Sequence, residues 1–145
     1  MPVTDEQVAP LRAQLARQPA EHQRLFNLLD QTAKRTGYRA LVSAAFVVAV
    51  QRRFPNDVTP AEVIEFVGDV RSSSPKVADQ VDPTTAERVI MAVFTGQPLN
   101  DIDPRTSWET QLVLMAAIVG DEHLDDAGLD VFLAEARKLA DHWLA

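Results

Sequence analysis

Four times in its second half this chain places an apolar residue before Thr or Asp and then a helix-forming run. The four are Val58-Thr59, Val81-Asp82, Ile102-Asp103 and Leu124-Asp125, and Pro follows the cap in the first three. Each is a helix start. The Thr or Asp side chain accepts a hydrogen bond from a backbone N–H that has no partner inside the helix. Pro at the first helical position gives up a donor that would have been unpaired anyway. Cap to cap, the spacings are 23, 21 and 22 residues. A helix of about 13 residues and a loop of about 8 produce this beat without any duplication. Two such helices would make a unit of about 44 residues, near the period of HEAT-type solenoids. The segments do not match beyond their caps, however, because the fourth helical position holds Val63, Ala86, Ser107 and Leu129 in turn. A compact helical bundle is therefore favoured over a short HEAT-like solenoid.

The first third follows the same grammar. Thr4 opens a helix, with Gln7 at the capping-box position and Val3 and Val8 able to staple across the start. Pro10 predicts a kink or a restart, and Pro19 a stop. A second helix is expected over about 20–36, with His22, Leu25, Phe26, Leu29 and Ala33 on one face and Gly37 just past its end. A third is expected over about 38–54. Its valines would suit a buried strand, but its length and the alanines at 40, 44, 45 and 49 decide for helix.

Further on, Thr59 and Glu62 form a capping box ahead of the stripe Val63, Phe66, Val67 and Val70. Ser72 to Pro75 ends that helix and starts a single turn through Gln80. The helix from Asp82 buries Ala86, Val89, Ile90, Val93 and Phe94 and stops at Gly96. The helix from Asp103 is apolar all round between Leu112 and Val119. The last, from Asp125, carries Leu129, Phe132, Leu133, Ala136, Leu139, Ala140 and Trp143 at helical spacing. No pair of alternating runs flanks an Asn-Gly or Asp-Gly turn. The expectation is a single all-α domain over 1–145, of about six to seven helices, with 38–54 and 104–120 central. Each cap contributes about 1 kcal/mol. Burial of Phe46, Phe66, Phe94, Trp108, Phe132 and Trp143 is expected to contribute more, at about 1.5–3 kcal/mol for each large apolar side chain.

Composition removes several function classes. With no cysteine there is no disulfide, no thiolate nucleophile and no sulfur-ligated zinc site. Five glycines supply no Gly-rich phosphate loop. The acidic N-terminus lacks the apolar run of a signal peptide. The longest apolar stretch, Ala40 to Val50, falls well short of the roughly 20 residues of a membrane span. The expected location is the cytoplasm, with no membrane contact. Eleven Arg against three Lys, with much Ala and Asp, fits a GC-rich bacterial genome.

The net charge of −7 is unevenly spread. Residues 1–55 hold 8 basic and 4 acidic side chains, whereas 56–145 hold 6 and 17. Arg35, Arg39, Arg52 and Arg53, with Lys34, are the residues that would grip an acidic partner or phosphates. The competing account is the helix dipole. Arg17, Lys34, Arg35, Arg52, Arg53 and Arg71 fall in last turns of expected helices, and Glu21, Glu62, Glu87 and Asp126 in first turns. At a pI near 4.8, nucleic-acid binding is the weaker reading.

No constellation points to catalysis. The polar run Asp121 to Asp126 fails as an EF-hand, because Asp126 stands where the invariant glycine belongs and no Glu closes the loop. His22, His123 and His142 are mutually distant in sequence, and Glu-x-x-His is absent. Glu62, Glu65 and Asp69 face away from their helix's apolar stripe, toward water. The expectation is thus a non-catalytic interaction or regulatory module, without metal or cofactor, acting on a protein partner or on itself as a homodimer. The alternatives are a nucleic-acid-associated regulator using the basic N-terminal third and a helical protein that binds an apolar ligand.

Overall fold

Most helices of this protein begin where a side chain accepts the backbone N–H three residues on. The structure, a computed structural model, describes residues 1–145 and contains no strand. Its eight helices are α1 (Asp5–Leu15), α2 (Pro19–Asn27), α3 (31–53), α4 (Pro60–Arg71), α5 (Pro75–Gln80), α6 (Pro83–Thr95), α7 (Pro104–Glu122) and α8 (Asp126–Leu144). All four caps of the repeated pattern are realised. Thr59 accepts from Glu62 N–H, Asp82 from Thr85, Asp103 from Thr106 and Asp125 from Gly128. Thr4 and Thr59 complete full capping boxes with Gln7 and Glu62. The short α5, capped by Ser74, is the single turn expected there and makes the eighth helix.

One boundary differs from the sequence expectation. The second helix stops at Asn27 rather than near Thr36, and the third starts at Gln31 rather than at Tyr38. Asp30 is the reason, since its carboxylate accepts from Ala33 N–H at 2.7 Å and opens α3 early. Gly37 is then not a helix end. It lies inside α3, in a π turn over Lys34–Tyr38 that joins the α segments Gln31–Ala33 and Arg39–Arg53. The consequence reaches the charge argument. Lys34 and Arg35 sit near the start of a helix rather than in a last turn, so the helix dipole does not account for them.

The chain divides into two units, one of residues 1–48 and 119–145, the other of residues 49–118. In the first, α1 packs on α2, on the π turn and on α8. Arg12 ties α1 to α8 through Asp130 at 2.9 Å and Asp126 at 3.6 Å. Pro10 does not break α1, which runs through it. His22 on α2 reaches back to α1, where its Nδ1–H donates to the Pro10 carbonyl at 2.6 Å, and its ring stacks on Phe26. Leu11, Leu41, Val42, Ala45, Phe46, Phe132, Leu133 and Ala136 are among its buried residues.

In the second unit α4 packs on α5 and α6. The predicted stripe Val63, Phe66, Val67 and Val70 is buried, as are Ala86, Val89 and Ile90 of α6. Phe54 meets Phe66 and Phe94 edge-on, at 5.7 and 6.5 Å between ring centres. Two expected core aromatics are partly exposed, Phe94 at 37% and Trp143 at 47%. Both stand in the last turn of a helix, where one side of the stripe has run out of neighbours. Trp108 is half-buried, and Ala116 on α7 is exposed. No helix is long and apolar enough to cross a membrane.

Candidate functional site

An apolar recess lies in the unit of residues 49–118, and its walls follow from three local sequence devices. The Thr59-Pro60 cap fixes the phase of α4, so that Pro60, the buried Val63 and Ile64 line the recess. The Asp82-Pro83 cap does the same for α6, bringing Arg88, Met91, Ala92 and Thr95 to it. Gly96, at φ 69°, then adopts the left-handed conformation that glycine takes without steric cost, and Gln97-Pro98-Leu99 form the third wall.

That third wall is pinned. Arg88 on α6 donates from Nη1 and Nη2 to the two carboxylate oxygens of Asp101, at 2.7 and 2.9 Å. This forked pairing has more directional definition than a single contact. Arg88's hydrogen bonds hold the Asp101 carboxyl below its ordinary range, and the same bonds raise the guanidinium. The recess has a volume of about 220 Å³, and Ile64 on its edge is 54% exposed. Sequence reasoning missed this groove. Ile64, Met91 and Leu99 lie off the core stripes, and only that misfit signalled it.

The four arginines singled out in the sequence do not fall in one unit. Arg35 and Arg39 belong to the first, Arg52 and Arg53 to the second. Arg35 and Arg39 are exposed. Their neighbour Lys34 lies 4.7 Å from the centre of the Phe26 ring, a cation–π contact within the fold. Arg53 lies 4.9 Å from the Phe54 ring centre and 5.1 Å from that of Phe66. It borders a recess of about 250 Å³ that also receives Asp57, Glu62, Glu65 and Asp69. A phosphate approaching Arg53 there would meet four carboxylates. Arg71, by contrast, sits in the last turn of α4 and donates to Ala78 O within α5 at 3.3 Å and to Val81 O just past it at 2.8 Å.

A third recess, of about 390 Å³, lies in the first unit where α1 and α7 end and α8 begins. Arg17 and His123 both line it, and both have left-handed backbones, at φ 61° and 51°. They are the only non-glycine residues of the chain in that region. Each conformation costs about 1 kcal/mol relative to glycine there. The apolar part of the lining comes from Leu15, Val119, Leu124 and Leu129. The Asp121 to Asp126 run contributes Asp125, which caps α8, and Asp126, which leans toward Arg12. No three His, Asp or Glu side chains of the chain converge as metal ligands would.

Comparison with known proteins finds no matching family model, curated protein or solved structure. Fold and site together define a class and no more: an all-α protein with an apolar, loop-pinned groove between two capped helices.

Proposed function

We propose that this protein is a non-catalytic interaction module whose groove between α4 and α6 holds an amphipathic helix of a protein partner, with an apolar face and basic flanks. The observation that carries the reading is the groove itself: an apolar cleft of about 220 Å³ with Ile64 left 54% exposed on its edge. A helix laid into such a groove buries side chains at i, i+3 or i+4 and i+7.

Charge supports the basic flanks. Residues 49–118 carry 10 acidic and 6 basic side chains. Glu62 and Glu65 stand on the helix that presents Ile64, and Glu87 lines the groove. The one cation in the lining, Arg88, is already matched by Asp101. Complementary charge speeds encounter and excludes wrong partners more than it adds affinity. The nucleic-acid reading has less support, because the carboxylates around Arg53 oppose phosphate.

The test is an NMR titration of the isotopically labelled protein with a synthetic amphipathic peptide, Leu on one face and Lys on the other. A second peptide carries Glu in place of Lys. The expected result is saturable shifts at Ile64, Met91 and Thr95 with the Lys peptide and much weaker ones with the Glu peptide. Ile64→Lys should abolish them. Equal binding of both peptides, or shifts elsewhere only, overturns the reading. So does a concentration-dependent dimer that Ile64→Lys disperses, which would make the occupant a second copy.

A further inference from the structure

The recess where α1 and α7 end combines an apolar floor with polar groups that the fold leaves unused. Of its acids, Asp125 accepts Gly128 N–H at 2.7 Å and Asp126 lies 3.6 Å from Arg12. The Arg17 guanidinium forms no ion pair and no side-chain hydrogen bond, and neither does the His123 ring. Arg17 is solvent-exposed, and Gly120 leaves its guanidinium room over α7, since a Cβ there would lie 2.9 Å from its Nη2.

Helix ends elsewhere in the chain sharpen the point. Gly96 closes α6 in the left-handed region, which glycine enters freely. The two other left-handed positions carry Arg and His instead, and both border this recess. Non-glycine residues in such sparsely populated conformations cluster at ligand sites.

We propose that this recess binds a small monocarboxylate with a short apolar tail. The carboxylate meets the Arg17 guanidinium, with His123 as a second donor, and the tail lies against Leu15, Val119, Leu124 and Leu129. Arg is suited to this role, since its planar fork matches the two carboxylate oxygens. The site is separate from the α4–α6 groove and does not depend on it.

Sodium hexanoate is the probe, followed by amide shifts in the labelled full-length protein, with hexylamine as the cationic counterpart of the same length. Saturable shifts at Gln18, Gly120 and Leu124 are expected with hexanoate and not with hexylamine. Arg17→Met keeps the stem without the charge and should weaken binding by roughly tenfold or more. Arg17→Gly should do the same while raising the melting temperature, because glycine relaxes the left-handed backbone. A purely structural Arg17 would show no hexanoate shifts in the wild-type protein. That result overturns the site, as do equal shifts with hexylamine or unchanged hexanoate binding in Arg17→Met.

Discussion

The side-chain amide of Gln7 fills the space in which residue 37 would carry its Cβ. An alanine there would bring that atom to 2.6 Å from Gln7 Cδ. Gln7 is buried, its Oε1 accepts Thr4 N–H at 2.9 Å, and its Nε2 donates to the Ala33 carbonyl at 3.1 Å. In an unbroken α-helix that carbonyl would accept from Gly37 N–H. Here the turn is widened to π, and an amide from another helix takes up the carbonyl. One glutamine therefore closes a capping box and clasps α1 to α3.

Gly37→Ala should destabilise the protein by about 1–3 kcal/mol, the usual cost of forcing atoms into a filled site. Gln7→Ala should also destabilise, through the lost cap and the lost bond to the Ala33 carbonyl. The double variant is the informative one. Because the clash needs both side chains, its loss should be smaller than the sum of the two single losses in urea unfolding, and strict additivity would show that the two do not meet.

Tyr38, the residue that closes the π turn, is the only tyrosine of the chain. Burial pushes its phenol well above the ordinary value, and it packs edge-on against Phe26 at 5.4 Å. The folded state thus favours the protonated phenol. Stability from this source is intact below about pH 10 and falls as pH rises beyond it, because the unfolded chain loses the proton first. The phenolate absorbance should appear together with loss of helical circular dichroism rather than before it. Tyr38→Phe should flatten the alkaline decline. A phenolate signal near pH 10 in a fully helical protein would contradict the placement.

Why the helix starts were legible and the site was not follows from the range of the interactions involved. Thr59, Asp82, Asp103 and Asp125 act on a backbone amide three residues away, so each start is written within four residues. The stripes of α4 and α8 need only helical spacing to be read, and Val63, Phe66, Leu129 and Phe132 are buried as that spacing predicts. Gly37 reads locally as a helix end because its partner, Gln7, is 30 positions away in the chain. The groove is harder still, since its third wall depends on Arg88 reaching Asp101 across 13 residues. The pairing of Arg17 with His123 around one recess joins the first helix to the seventh, and no local pattern announces it.

Acid should loosen the second unit through two carboxylates. Asp82 is held below its ordinary value, first by Thr85 N–H, and Asp101 by Arg88. For a carboxylate with a depressed native value, the contribution is present above about pH 4, where the unfolded group is ionised, and is lost as pH falls through the native value. Asp82→Asn keeps a capping side chain but does not titrate. It should therefore leave neutral stability nearly unchanged and reduce the acid-induced drop in urea midpoint. Asp101→Asn releases the Gln97 to Leu99 wall, so amide exchange there should rise at neutral pH, with little change in α4. Unchanged exchange in that segment would mean that the Arg88 fork does not pin the groove.

The segment before α1 is held by α8 from both sides of one residue. Asp141 accepts Val3 N–H at 2.6 Å, and Arg137 Nη2 donates to Val3 O at 2.7 Å while its Nη1 donates to Asp5 at 2.7 Å. The backbone contact is the more valuable half, because Val3 is buried and its carbonyl would otherwise lose its charged donor. The bond to Asp5 is exposed and contributes little. Arg137→Met, which retains the apolar stem, should therefore lower stability by about 1–2 kcal/mol. Asp5→Asn should lower it by no more than about 0.5 kcal/mol. Hydrogen exchange separates the two roles further. Val3 N–H should exchange faster in Arg137→Met, since the clasp that seats it against Asp141 has lost one arm, and stay protected in Asp5→Asn. Equal losses in the two variants would place the stabilisation in the surface ion pair rather than in the backbone clasp.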